Sequence, residues 1–181
     1  VVPLTQLSRV MTTCFLLGGL LDAVAEAHKT PEVIEALFVE ACIWAFGGAM
    51  VVEKTSNQRK KFSSNWRSEF KSVVFPSDGE VFDYVYSVDG ETGEGELVHW
   101  KNRVPEFVPL GEQAFSSIVV STVDSMRLTF LADKLVQAGR PSMLVGAAGT
   151  GKTTLLKDYL RNMDEGYTFA TINCNFYTDS M

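Results

Sequence analysis

The feature that most constrains this chain is an eight-residue stretch, residues 146–153, with the sequence GAAGTGKT. Its spacing fits the pattern in which a glycine is followed, after four residues, by Gly-Lys-Ser/Thr. Such a loop joins a buried strand to the start of a helix, because its backbone N–H groups and the helix N-terminus together hold phosphate. The sequence therefore predicts a phosphate-binding P-loop and part of a nucleoside-triphosphate site.

Each part of the loop has a predicted task. The glycines let the backbone turn tightly and approach phosphate oxygens without a Cβ clash. Lys152 is expected to reach the β- and γ-phosphates, and the Thr153 hydroxyl to bind Mg²⁺. The predicted nucleotide-binding residues of the loop are Gly146, Ala147, Ala148, Gly149, Thr150, Gly151, Lys152, Thr153 and Thr154.

Hydrolysis needs more than this loop, since an acidic residue must hold Mg²⁺ and another group must orient water. That acidic residue normally ends a later core strand. The carboxylates after Thr153 do not follow an apolar strand run, so we expect no catalytic residue in this sequence. These carboxylates are Asp158, Asp164, Glu165 and Asp179.

Three helices are predicted before Pro76. The first runs to about His28, and Thr30 and Pro31 supply the N-cap and first residue of the second. Glycines 47 and 48 are expected to weaken or end that helix, and Pro76 stops the third. Their apolar stripes are Leu4, Leu7, Met11, Cys14, Leu17 and Leu21; Val33, Leu37, Ala41 and Trp44; and Phe62, Trp66, Phe70 and Val73 or Val74.

The hydrophobic period then changes to two, which predicts a half-buried strand in which Phe82, Tyr84, Tyr86 and Val88 share one face. Residues 89–95 form a turn-rich acidic stretch, and residues 97–100 are the predicted returning strand of a hairpin. We therefore expect a β-hairpin with a solvated tip.

Pro105, Pro109 and Gly111 mark a predicted boundary. Beyond it, short strands are expected at 118–120, 143–145 and 169–173, and the loop helix should run to about Arg161. Another helix is predicted from about Val123 to Ala138, capped by Thr122 and stopped by Gly139. Its predicted inward residues are Met126, Phe130, Leu131 and Leu135.

Composition excludes several classes of partner. Sixteen Lys and Arg residues against 22 Asp and Glu residues give a net charge of −6, which disfavours sequence-independent binding to nucleic acid. The apolar stretch at residues 14–21 is too short to span a bilayer. The three cysteines, Cys14, Cys42 and Cys174, lack zinc-site spacing and are typical of a reducing compartment. Because the chain starts at Val1, we expect it to be processed or excised from something longer.

The order of helices, hairpin, connector, strand, helix and P-loop resembles the junction of the second and third AAA+ modules of a dynein heavy chain. The resemblance covers nearly the whole chain and is most specific around the P-loop and residues 118–135. The sequence is most similar to those of axonemal, outer-arm heavy chains. The match is carried by VPLTQLSRVMTTCFLLGGLLD, EACIWAFGGAMV, FSSNWRSEFKSVVFP, IVVSTVDSMRLTFLADKL and GAAGTGKTTLL.

This resemblance implies an α/β fold in two parts. Residues 1–110 would be the mainly helical, lid-like subdomain of one module with its hairpin and connector. Residues 111–181 would begin the P-loop parallel-sheet domain of the next. By motif position, the loop would hold ATP or ADP with Mg²⁺ at a regulatory site, and Ile118 and Val119 would lie near the adenine.

The resemblance also implies a setting. The expected partners are nucleotide, the neighbouring AAA+ modules and, through the intact complex, dynein intermediate and light chains and microtubules. The expected location is the cytoskeleton of a ciliary or flagellar axoneme. ATP hydrolysis belongs to the intact motor, so we expect weak or no ATPase activity and no microtubule binding from this chain alone.

Two other hypotheses stay open on the sequence. One is an unrelated P-loop NTPase or small-molecule kinase, in which a lid would follow the loop inside one compact domain; here the loop begins only at Gly146. The other is a structural module that binds nucleotide without turnover, which single-turnover hydrolysis by a complete module would distinguish.

Overall fold

The computed structural model describes residues 4–50, 52–53, 56–107 and 119–174. The chain divides into two compact units, residues 1–143 and 144–181. The helices are α1 (Gln6–Asp22), α2 (Pro31–Gly47), α3 (Gln58–Glu69), α4 (Val123–Gln137) and α5 (Lys152–Arg161). Strands β1 (Val52–Glu53) and β2 (Ser56–Asn57) pair antiparallel, as do β3 (Tyr84–Val88) and β4 (Gly95–His99). Among the helices and strands of the described residues, α5 alone belongs to the second unit.

The core of the first unit forms where α1 and α2 pack together and meet the residues just before β3. Phe82 is fully buried at its centre, with ring centroids 5.5 Å from both Trp44 and Phe62. Leu16 and Leu20 enter this core from α1. Most of α2 is buried, which explains why its sequence is apolar almost all the way round.

The predicted helix caps are confirmed. Thr30 Oγ1 accepts a hydrogen bond from Val33 N at 3.3 Å, Pro31 is the first residue of α2, and the helix ends at Gly47. Thr122 caps α4 in the same way, its Oγ1 accepting from Ser125 N at 3.1 Å. These short-range bonds satisfy N–H groups that the first helical turn leaves without partners.

The prediction for α1 was wrong in its end and in the N-terminal part of its inward face, while Leu17 and Leu21 pack against the core as predicted. The helix ends at Asp22, and a separate 3₁₀ turn covers Glu26–His28. Leu7 is 69% exposed, whereas Leu16 and Gly19 are buried. The helix is rotated because it approaches α4 closely: a Cβ on Gly19 would lie 2.6 Å from the backbone oxygen of Lys134.

Helix α3 is also shorter than predicted. It ends at Glu69, and Phe70 is 54% exposed. Within the helix, Arg67 turns its guanidinium toward the chain that follows and donates to the carbonyls of Pro76 at 2.8 Å and Gly79 at 3.1 Å. These bonds hold the chain after α3 folded back, so the aromatic stripe does not continue as helix to Pro76.

The predicted hairpin is confirmed, with Tyr86 opposite Leu97 in its register, but its strand bounds differ from the prediction. Phe82 lies in a 3₁₀ turn, Val81–Asp83, before β3, and Trp100 begins another 3₁₀ turn after β4.

The outer edge of β3 is capped by a buried glutamate of α2. Tyr86 N donates to Glu40 Oε2 at 2.9 Å, while Glu40 Oε1 finds no hydrogen-bond partner within the part of the chain that the structure describes. Burial raises the pKa of Glu40 to about 7, against the opposing effects of the Tyr86 hydrogen bond and the positive charge of Arg103.

Helix α4 is held to the rest of the first unit by a buried arginine. Arg127 donates to the Phe82 carbonyl at 3.0 Å, to Asp83 Oδ1 at 3.3 Å and to Asp124 Oδ1 at 2.7 Å. Three of the four predicted inward residues, Phe130, Leu131 and Leu135, pack against the core, whereas Met126 is not among the residues of that cluster. The ring of Phe130 also meets that of the buried Trp100 edge-on, with centroids 5.4 Å apart.

The three strands predicted beyond the boundary were not confirmed. Ile118 lies outside the described residues, and residues 119–120, 143–145 and 169–173 are not strands. Apolar residues expected inside a sheet are exposed instead: Met143 is 73%, Val145 62% and Ile172 82% exposed. A strand exists only when a neighbour accepts and donates its backbone hydrogen bonds, and within the described residues none of these segments pairs with another strand.

Candidate functional site

The candidate site is the loop that leads into α5. Two of its glycines adopt the left-handed conformation, Gly149 with φ of 76° and Gly151 with φ of 80°. Gly151 is the N-cap of α5 and has no side chain to satisfy the first-turn N–H groups. The loop therefore turns as the sequence predicts and reaches the helix without a capping oxygen of its own.

The first turn of α5 presents unsatisfied donors. The first backbone bond of the helix joins Leu155 N to Gly151 O at 2.9 Å, so the N–H groups before it have no acceptor inside the helix. No acidic side chain lies in this turn. Together with the helix dipole, roughly half a positive charge at this end, these donors favour an anion such as phosphate.

The Lys152 ammonium lies over the loop. It donates to the carbonyls of Gly146 at 3.0 Å and Ala147 at 2.6 Å, and to Thr150 Oγ1 at 3.3 Å. An ammonium has three protons, so these three acceptors match its donors. A cation is thus held next to the free N–H groups of α5, where phosphate oxygens can replace neutral acceptors with stronger, charge-assisted bonds.

The same residues fit a nucleotide phosphate with Mg²⁺. Thr153 and Thr154 are exposed in the first turn of α5, so their N–H groups and hydroxyls are open to solvent. Mg²⁺ usually takes one or two protein oxygens and completes its shell with water and phosphate, which a single hydroxyl on this turn can serve. Ala147 and Ala148 keep the loop free of bulk.

The other predicted site residues are not brought into this loop. Ile118 lies outside the described residues, and Val119 belongs to the other compact unit, so their place beside the adenine stays a prediction. Asp158 lies on α5 beyond the first turn, and Asp179 is outside the described residues. Within the described ranges, no group of three or more His, Cys, Asp or Glu side chains could hold a metal ion.

Thr150 was predicted as part of the nucleotide-binding loop, but the P-loop pattern did not predict the role of its side chain. The motif leaves the position of Thr150 open, yet its hydroxyl donates to the Ala147 carbonyl at 2.9 Å and accepts from Lys152. The available signal was a hydroxyl residue two positions before the lysine.

Outside the site, among the described helices none combines the length and apolar character needed to cross a membrane.

Comparison with known families agrees with this geometry. Residues 1–102 match the dynein heavy chain AAA lid domain. Residues 108–181 match the P-loop containing dynein motor region. The fold and the loop therefore define a protein of the AAA class, in which a lid is followed by the start of a P-loop domain. The predicted mainly helical fold with a hairpin is confirmed.

Individual relatives indicate the same family. The chain is 40% identical, over 99% of its length, to the dynein beta chain of the flagellar outer arm of Chlamydomonas reinhardtii and to human dynein axonemal heavy chain 9. It is 38% identical, again over 99% of its length, to a ciliary dynein beta chain of Heliocidaris crassispina. It spans about 4% of the length of these relatives. The chain belongs to the dynein heavy chain family, which removes the alternative of an unrelated P-loop kinase.

Proposed function

We propose that this chain is a segment of an ATP-driven, microtubule-based axonemal dynein motor and supplies the phosphate-binding half of a regulatory nucleotide site. The segment corresponds, in this proposal, to the junction of the second and third AAA+ modules, with a boundary near residue 110. The observation that carries the proposal is the Lys152 ammonium held beside the free N–H groups of α5.

The proposed ligand is ATP or ADP with Mg²⁺. The loop and the first turn of α5 bind the phosphates, Lys152 neutralises their charge, and Thr153 supplies a hydroxyl to Mg²⁺. The groups that hold Mg²⁺ from the acidic side and orient water belong to other parts of the heavy chain. The partners are the neighbouring AAA+ modules and, through the whole complex, other dynein chains and microtubules in the ciliary or flagellar axoneme.

Calorimetric titration of the 181-residue chain with MgADP tests the proposal. Replacing Lys152 by alanine removes a charged donor, so Lys152→Ala is expected to weaken binding about 10- to 100-fold, since a hydrogen bond to a charged group is worth about 1.5–3 kcal/mol. Lys157→Ala is the matched control, because Lys157 is an exposed lysine on the same helix outside its first turn. Equal affinities for the two variants would rule the site out.

Turnover provides a separate test. We expect the 181-residue chain to bind nucleotide but to release little or no phosphate in an ATPase assay. Sustained hydrolysis by the wild-type chain that Lys152→Ala abolishes would show that the loop belongs to a complete catalytic site, contrary to the proposal.

A further inference from the structure

The hydroxyl of Thr150 connects the two ends of the phosphate loop. It donates to the Ala147 carbonyl at 2.9 Å, which fixes the first half of the loop, and it accepts from Lys152 Nζ at 3.3 Å, which fixes the second. One hydroxyl can donate one hydrogen bond and accept others, so both interactions can form at once.

The hydroxyl of the exposed Thr150 also lies close to the first glycine of the motif. A Cβ built on Gly146 would lie 3.3 Å from Thr150 Oγ1 and 3.8 Å from Lys152 Cδ. The first glycine of the motif therefore meets both side chains on the inner side of the loop. Any larger residue at position 146 would press on Thr150, so the glycine, the threonine and the lysine depend on one another.

We infer that Thr150 is a positioning residue that holds the Lys152 ammonium over the loop before nucleotide arrives. The inference rests on the function proposed for this loop. With Thr150 in place, the ammonium has three acceptors and one location, so phosphate meets a cation that is already oriented. Without the hydroxyl, the ammonium keeps its bonds to the Gly146 and Ala147 carbonyls but loses its third acceptor, and the Ala147 carbonyl loses the bond that fixes it. The lysine side chain then regains part of the rotamer freedom that nucleotide binding has to remove again.

The proposed arrangement also explains how phosphate gains access. The three acceptors of Lys152 are neutral oxygens, and an anionic phosphate oxygen offers a stronger bond than any of them. Phosphate therefore replaces them at the ammonium, while the bond from Thr150 to the Ala147 carbonyl keeps the loop in the same shape. Thr150 acts through Lys152 and the loop backbone and needs no contact with the nucleotide.

Thr150→Val keeps the shape of the side chain and removes the hydroxyl. We expect it to weaken MgADP binding to the 181-residue chain about 3- to 10-fold, the loss typical of one hydrogen bond of ordinary net strength. Thr150→Ser, which keeps the hydroxyl, should restore the affinity. Thr168→Val is the matched control, since Thr168 is an exposed threonine of the same compact unit outside the loop.

A spectroscopic measurement separates positioning from a general effect on the loop. In the nucleotide-free chain, the hydrogen-bonded Lys152 ammonium should give a slowly exchanging ¹H–¹⁵N NMR signal in wild type and in Thr150→Ser. That signal should be lost in Thr150→Val, while circular dichroism stays unchanged. An unaltered ammonium signal, or wild-type MgADP affinity in Thr150→Val, would overturn the inference. Failure of the proposed function itself would look different: wild type and Lys152→Ala would bind MgADP equally.

Discussion

Phe82 and Phe169 occupy opposite environments in this molecule. Phe82 is fully buried among aromatic rings and beneath the guanidinium of Arg59, which lies 4.6 Å from its ring centroid. Phe169 is 58% exposed, and none of the described residues between 144 and 174 is buried. The unit of residues 1–143 is therefore stabilised by long-range burial, whereas the loop unit owes its conformation to glycines and short-range hydrogen bonds.

The largest effect should come from removing the centre of the buried core. Phe82→Ala is expected to lower the free energy of unfolding by about 3–5 kcal/mol, because a large cavity opens among Trp44, Phe62 and α2. Phe169→Ala should change it by less than about 0.5 kcal/mol, since that ring is exposed. Chemical denaturation followed by circular dichroism measures both, and similar losses would break the comparison between the units.

A second effect concerns the buried carboxyl of Glu40. Its folded pKa of about 7 lies above the ordinary value of 4.5, so its contribution to stability is full below pH 4.5 and is lost as the pH rises through 7. The loss amounts to about 3 kcal/mol, because each pKa unit is worth about 1.4 kcal/mol. Glu40→Gln should therefore remove this part of the pH dependence and make the chain more stable than wild type at pH 8.

Unfolding titrations at pH 5 and pH 8 measure this effect. Glu91→Gln is the control, because Glu91 is exposed at the hairpin tip and should leave the pH dependence of wild type in place. If Glu40→Gln keeps the wild-type fall in stability between the two pH values, the buried carboxyl is not its source.

The smallest effect should be confined to the loop unit. Gly151→Ala places a Cβ at a residue with φ of 80°, which costs roughly 1 kcal/mol at the start of α5. This cost should lower MgADP affinity about fivefold, while the free energy of unfolding of residues 1–143 stays unchanged. Gly166→Ala is the control, since Gly166 has no positive φ and a Cβ there meets open space. A loss of stability in the first unit would contradict the separation.

Local signals in the sequence predicted local structure well. Thr30, Pro31 and Thr122 predicted helix starts because caps act within three residues, and the period-two pattern before residue 89 predicted the hairpin. The loop was predicted in the same way, since the glycines at 149 and 151 act on their own backbone.

Features that depend on distant residues could not be predicted. The inward face of α1 is set by the contact of Gly19 with α4, which is more than a hundred positions away. The burial of Arg127 depends on a carbonyl at Phe82, and that of Glu40 on an amide at Tyr86. Apolar runs such as residues 143–145 predict strands only when a partner strand lies beside them, and periodicity carries no information on that partner.

The attachment of Arg127 has a consequence for how α4 can move. A helix that slides by one residue advances about 1.5 Å and turns about 100°. Such a step would carry the guanidinium away from the Phe82 carbonyl and Asp83, and would bring a different part of α4 against Gly19. The bonds of Arg127 thus fix the register of α4 against the residues it packs on. The helix can move together with these residues, but a slip by one position would break the bonds.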